Sequence, residues 1–167
     1  MDSDLLSVLY KQYAPAVFFY ALSLTRNREA AEDLTADAFE KAFLTPELAT
    51  GAGFKSWLFT VCRNLWIDRI RREKHFPRAD YASIEELTSS RMPDEEFFAD
   101  ERSRRIVAHI ISLPGDYGKI LILHYYGNLS LAEIAKVLGI TPGAAKTALY
   151  RARIKLKLLM EEHKDEF

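Results

Sequence analysis

Apolar residues recur at three- and four-residue intervals along most of the chain, and alternating β-branched runs bounded by turns are absent. That spacing predicts helices and no sheet. Residues 3–25 read as one broken helix or two short ones, because Pro15 suits a first helical turn better than a helix interior. Residues 28–44 form a second helix, ended before Pro46. The segment TPELATGAG, residues 45–53, has the Pro and Gly content of a loop. Residues 54–75 carry no breaker and read as one long helix. Residues 76–93 lack a pattern and read as a linker. Residues 94–113 are helical again, stopped by Pro114-Gly115, and residues 116–126 form a short apolar helix ending at Gly127. The expected fold is all-α. Two small helical domains, residues 1–76 and 101–167, are joined by a flexible linker over residues 77–100.

The densest local signals lie in SLAEIAKVLGITPGAAKTALYRAR, residues 130–153. Ser130 and Glu133 have the spacing of a capping box, in which hydroxyl and carboxylate each satisfy a free N–H at a helix start. Leu131, Ile134, Ala135 and Leu138 then make one apolar stripe. Gly139 supplies the positive φ that stops the helix. Thr141 caps the next helix and Pro142 takes its first position. In that helix Ala145, Leu149, Ala152 and Leu156 point to a core, while Lys146, Thr147, Tyr150, Arg151 and Arg153 lie outside. Two helices joined by a short Gly-containing turn make a helix-turn-helix. Its second helix enters a major groove N-terminal end first, led by Thr141, Gly143 and Ala144. The bland alternative is a helical hairpin with a solvated basic face. The coincidence of capping box, Gly turn, Thr-Pro start and one-signed outer face favours DNA.

Charge refines the picture through its placement, because the net charge is only −1. Residues 54–78 carry Lys55, Arg63, Arg69, Arg71, Arg72, Lys74 and Arg78 against Asp68 and Glu73. From Asp80 to Glu101 the acids Asp80, Glu85, Glu86, Asp94, Glu95, Glu96, Asp100 and Glu101 face a single cation, Arg91. Residues 136–157 are basic again, with no acid. Two basic segments thus flank an acidic connector.

Composition removes several classes. A single cysteine, Cys62, excludes disulfide frameworks and multi-cysteine zinc sites, and its apolar context marks it as a small buried hydrophobe. No run approaches the ~20 apolar residues of a membrane span. The acidic start MDSDLLSVLY is unlike the basic start of a signal peptide, so a cytoplasmic protein is expected. There is no phosphate-binding Gly loop, no metal-ligand spacing and no recognisable Cys–His pair. The expectation is a non-enzyme with no cofactor, no metal and no catalytic residues.

Four stretches together resemble one family: LYKQYAPAVFFYA (residues 9–21), AEDLTADAFEKAF (residues 31–43), FKSWLFTVCRNLWIDRIRREK (residues 54–74) and LPGDYGKILILHYYGNLSLAEIAKVLGITPGAAKTALYRARIKL (residues 113–156). In this order and spacing they are similar to the extracytoplasmic-function group of the sigma-70 family, the small two-domain initiation factors of bacterial transcription. The resemblance implies a first domain that binds core RNA polymerase and opens the minus-ten promoter element. It implies a second domain that reads the minus-thirty-five element as duplex. The implied partners are the β′ and β subunits of core polymerase and promoter DNA. Many members are also held by an anti-sigma factor, of which this chain carries no direct sign.

Carried over residue by residue, the resemblance places polymerase contacts at Asp33, Leu34, Asp37 and Glu40, where three carboxylates share a helical face that suits a basic partner. An ordinary solvated face is the alternative. It places minus-ten contacts at Lys55, Ser56, Arg63, Asn64, Arg71 and Lys74, with cations for phosphates and an amide for a base edge. Phe54, Trp57, Leu58, Val61, Leu65 and Asp68 are read as the core-facing stripe of that helix. Trp57, Phe59 and Trp66 are read as core rather than as stacking platforms. The minus-thirty-five contacts are Thr141, Gly143, Ala144, Lys146, Thr147, Tyr150, Arg151 and Arg153. Ala144 and Ala148 depart from the family pattern, which often has a hydroxyl and an Arg there, and neither can hydrogen-bond a base. The rivals are a dimeric helix-turn-helix regulator acting without polymerase, an enzyme, and a helical adaptor.

Overall fold

The computed structural model describes residues 3–45, 47, 51, 53–73 and 101–166, and all regular structure among them is helical. Seven α-helices follow in order: α1 Ser3–Thr25, α2 Arg28–Leu44, α3 Phe54–Arg72, α4 Glu101–Ser112, α5 Tyr117–Tyr125, α6 Leu131–Leu138 and α7 Pro142–Glu162. A 3₁₀ turn, Lys164–Glu166, follows α7. The linker over residues 77–100 and the cation Lys74 lie outside the described residues.

The expected break at Pro15 does not occur. Helix α1 runs unbroken for 23 residues with Pro15 inside it. The ring removes one N–H and frees the carbonyl of Lys11. Lys11 is exposed, so water can take that acceptor, and the buried second half of the helix holds the rest in place. From Ala14 to Ser23 every residue of α1 is buried. A helix apolar all round is a hub. Helices α2 and α3 pack on it from one half of the chain, and α4 and α5 from the other. Two of its buried hydroxyls are paired within the helix: Ser23 Oγ donates to the Tyr20 carbonyl and Thr25 Oγ1 donates to that of Ala21 at 2.9 Å.

Local chemistry sets the other boundaries. Arg26 takes a φ of 50°, which turns the chain sharply after α1. Asn27 then caps α2, its side chain accepting from the Ala30 N–H at 2.9 Å. Gly118 lies so close to the Ile110 carbonyl oxygen that a Cβ would sit 2.4 Å from it, so α5 crosses α4 at a distance only glycine permits. On α3 the core stripe is rotated from the one expected. Phe54, Leu58, Phe59 and Cys62 are buried, Trp57, Val61 and Leu65 are half-buried, and Asp68 is exposed. Neighbours on two sides, α1 and α6, draw the stripe round toward Phe59 and Cys62.

Two helical domains are therefore present, but they are not apart. Buried residues of both halves join one continuous apolar cluster.

Candidate nucleic-acid and polymerase interface

The helix-turn-helix forms as its sequence dictates. Ser130 Oγ accepts from the Glu133 N–H at 3.2 Å and Glu133 Oε1 accepts from the Ser130 N–H at 3.0 Å. Gly139 closes α6 at a φ of 68°. Thr141 Oγ1 accepts from the Ala144 N–H at 3.1 Å, with Pro142 in the first turn of α7. Ala145, Leu149 and Ala152 are buried and hold the inner side of α7. Thr141, Gly143, Ala144, Lys146, Thr147, Tyr150 and Arg151 are all exposed. A Cβ on Gly143 would meet nothing within 4 Å. The N-terminal half of α7 is thus a convex, cationic, unobstructed helix end, the shape that fits a major groove.

Arg153 differs from its neighbours. Its Nε donates to the Tyr125 hydroxyl at 2.7 Å, and its guanidinium stands 3.3 Å from His124 Nε2 and 5.6 Å from the centre of the Tyr125 ring. His124 Nδ1 lies 3.2 Å from the Leu129 carbonyl oxygen. That carbonyl pairs with Nδ1–H, which leaves Nε2 as the acceptor for Arg153. Arg153 therefore ties α7 to the end of α5 and to the entry of α6. Sequence reasoning had only its charge to go on. His109 is buried, its ring 4.6 Å from that of His163, in keeping with a packed rather than a functional histidine.

The minus-ten candidates divide. Asn64 and Arg71 are exposed on α3, and Arg63 is half-buried. Ser56 is buried, its hydroxyl donating to the Gly53 carbonyl at 3.1 Å, so it trims the helix start and does not belong to a contact surface. Lys55 donates from Nζ to the Asn128 carbonyl at 3.0 Å, across to the other half of the chain. Trp57 stacks on Phe54 at 5.9 Å between centroids, and Phe59 is fully buried, as core aromatics. The Cys62 thiol is also buried, and burial pushes its pKa far up, which leaves it protonated and inert.

On α2, Asp33 and Glu40 are exposed and Asp37 is partly so. Arg69 of α3 donates to Asp37 Oδ2 at 3.2 Å. Leu34 is fully buried and packs in the core, behind the acidic face of α2, so it cannot touch a partner. The contacts missed from sequence are those of Arg26, Tyr126, Gly127 and Asn128, which join the two halves. Two non-glycine residues with positive φ, Arg26 and Asn128, sit among them. Only the asparagine carries a sequence preference for that region.

No helix among the described residues is long and apolar enough to cross a membrane, and none of their His, Cys, Asp or Glu groups forms a metal cluster. Residues 9–76 match Sigma-70 region 2, and residues 103–156 match Sigma-70 region 4. The chain is 30% identical over 166 residues to the ECF RNA polymerase sigma factor SigW of Bacillus subtilis, covering 93% of this chain and 89% of that one. It is 30% identical over 163 residues to the ECF RNA polymerase sigma factor SigL of Mycobacterium tuberculosis, covering 96% and 92%. The fold is similar to that of the sigma factor RpoE of Bartonella quintana, solved in complex with the anti-sigma factor NepR, with a TM-score of 0.68, 25% identity, and 93% and 96% of the two chains covered. Both regions in sequence, the helix-turn-helix in the second and relatives matched nearly end to end lead to one conclusion: the chain belongs to the extracytoplasmic-function group of RNA polymerase sigma factors.

Proposed function

We propose that this sigma factor reads the minus-thirty-five duplex through the N-terminal half of α7, holds the opened minus-ten strand on α3, and docks on core RNA polymerase through the acidic face of α2. The observation that carries the first assignment is the outer face of α7. Lys146, Thr147, Tyr150 and Arg151 are exposed together behind a capped, Pro-started helix end. Cations there neutralise phosphates, and a guanidinium or ammonium can also bind guanine in the major groove. On α3 the strand contacts are Arg63, Asn64, Arg71 and Lys55 once its bond to Asn128 is released. On α2 they are Asp33 and Glu40, with Asp37 joining when Arg69 lets go.

The protein acts in the cytoplasm, where polymerase and promoters are, and does no chemistry of its own: polymerase makes the bonds and the sigma factor chooses the place. An anti-sigma factor is the expected antagonist, since the similar RpoE was solved with one. The test is reconstitution. Added to bacterial core RNA polymerase on genomic templates, the protein yields transcripts from a defined promoter set. Duplex binding at a palindrome, with no change in polymerase start sites, would instead identify an autonomous helix-turn-helix regulator.

A further inference from the structure

His124 stands in the last turn of α5, at the joint where α5 meets the entry of α6 and the flank of α7. The chain folds back over that helix end. The Leu129 N–H donates to the Leu123 carbonyl at 3.1 Å and the Leu129 side chain is buried, which fixes the Leu129 carbonyl one residue before the α6 cap. His124 Nδ1 lies 3.2 Å from that carbonyl. From the other side Arg153 of α7 brings its guanidinium to 3.3 Å from Nε2. A carbonyl only accepts and a guanidinium only donates, so the ring that suits both is neutral, with its proton on Nδ1 and its lone pair on Nε2. The one donor and the one acceptor of that imidazole each serve a different helix of the helix-turn-helix.

The apolar hold on α7 is slight where the clasp begins. Its buried residues are Ala145, Leu149 and Ala152, two of them alanines. Leu156 and Leu159, further along, are only partly buried against the core. Arg153 directly follows the last buried position, so the polar clasp takes over where the apolar seam ends. Small apolar contacts carry little direction, whereas a hydrogen bond has a preferred line. A groove-reading surface works only if it is held to within about 0.5 Å.

We propose that His124 is a positioning residue for promoter reading. Its neutral Nδ1–H form orients Arg153 and, through it, α7, and protonation of the ring undoes that orientation. This rests on the reading of α7 given above. A proton on Nε2 meets the Arg153 cation where a lone pair had met it, so a hydrogen bond becomes a repulsion. Helices α1, α4, α6 and α7 all pack on α5. Their titratable groups are engaged as follows: Tyr20 of α1 faces Phe59, His109 of α4 faces His163, and Glu133 of α6 caps Ser130. Tyr125, next to His124 on α5, accepts from Arg153, and Lys157 and Glu161 of α7 line the groove beside them. By linkage, a duplex that binds the oriented α7 better favours the neutral ring, and protons oppose the duplex. Affinity therefore falls as pH drops through the range in which histidine titrates. A surface histidine without this role gives the opposite sign, because its protonation adds a cation near phosphates and strengthens binding.

The test uses the full chain and a fluorescent duplex that it selects from random sequence at about pH 8. The variants are His124→Gln, which keeps a donor and an acceptor but does not titrate, and His124→Phe, which keeps a ring and loses both. Far-UV circular dichroism at each pH checks that helicity is kept. Between about pH 8 and about pH 6 wild-type affinity should fall about threefold, roughly the worth of one hydrogen bond. His124→Gln should lose this dependence, and His124→Phe should bind about threefold more weakly already at the higher pH. Nitrogen NMR of the histidine rings should find Nδ1 protonated and Nε2 bare in His124 at about pH 8. A ring protonated at Nε2 under those conditions would overturn the assignment. So would a wild type whose affinity holds or rises as pH falls, a His124→Gln profile that falls like the wild type's, or wild-type affinity in His124→Phe. Absence of duplex binding by the wild type at every pH would sink the reading of α7 and this inference with it, whereas intact binding with the wrong pH profile would sink the inference alone.

Discussion

At the residue scale the informative positions are those whose charge or polarity has been given a partner. Arg153 looks like one more cation on a basic helix, yet it bonds Tyr125 and faces His124. A phosphate contact needs only charge, whereas this clasp needs the guanidinium fork. Arg153→Lys is therefore expected to weaken minus-thirty-five duplex binding a few-fold without changing its salt slope, and Tyr125→Phe should reproduce much of the loss. A slope reduced by about 0.9 in Arg153→Ala, restored in Arg153→Lys, would make it a phosphate contact instead. Tyr20 gives the opposite case. It is fully buried beside Phe59, burial pushes its phenol pKa far up, and its hydroxyl has no hydrogen-bond partner among the described residues. An unsatisfied buried hydroxyl costs about 1–3 kcal/mol, so Tyr20→Phe should raise the stability measured by urea unfolding. Unchanged stability would mean that water reaches the hydroxyl.

At the element scale the two glycines of the helix-turn-helix separate backbone need from surface need. Gly139 sits at a φ of 68°, where a side chain costs roughly 1–2 kcal/mol. Gly143 sits inside the first turn of α7 with open space around it. Gly139→Ala should therefore lower the melting temperature and leave the duplex affinity of the folded protein unchanged. Gly143→Ala should stabilise by about 0.5–1 kcal/mol. If Gly143 meets the groove, the same variant should also weaken duplex binding. Unfolding curves and duplex titrations on both variants check each half of this contrast. The caps that frame these helices were legible beforehand, because Ser130, Glu133, Thr141 and Pro142 act within a few residues of themselves. Pro15 was misread for the complementary reason. Its local cost is outweighed by α1 being buried on every side from Ala14 onward.

At the scale of the whole molecule, the proposed docking face and the fold draw on the same acidic helix. Asp37 faces Arg69, but as a partly exposed pair it contributes at most about 1 kcal/mol. Reversing its charge would disturb the fold and the docking face together. Asp33→Lys with Glu40→Lys should instead weaken association with core polymerase, most strongly at low salt, and leave helicity unchanged. Unaltered affinity in that variant would remove α2 from the docking surface. Leu34 and Ser56 show how far spacing could carry this assignment. Both stand in the right blocks, yet both are buried, because a helical face has edges that only its neighbours define.

The sequence by itself determined the helical class, most helix boundaries, the caps, the helix-turn-helix and the division of charge between segments. These depend on hydrogen bonds and side-chain spacing within a few residues, so they are written locally. The four family-like blocks carried the functional reading as well. Only the tertiary structure decided which cations are free. Lys55, Arg69 and Arg153 are alike in sequence to Lys146 and Arg151, but each of the first three reaches a partner more than twenty residues away. It also decided that the two halves share one apolar cluster, through Phe19, Phe59, Tyr126 and Gly127. Burial between distant segments is a property of their packing, and helical periodicity tells which face is apolar but not what will cover it.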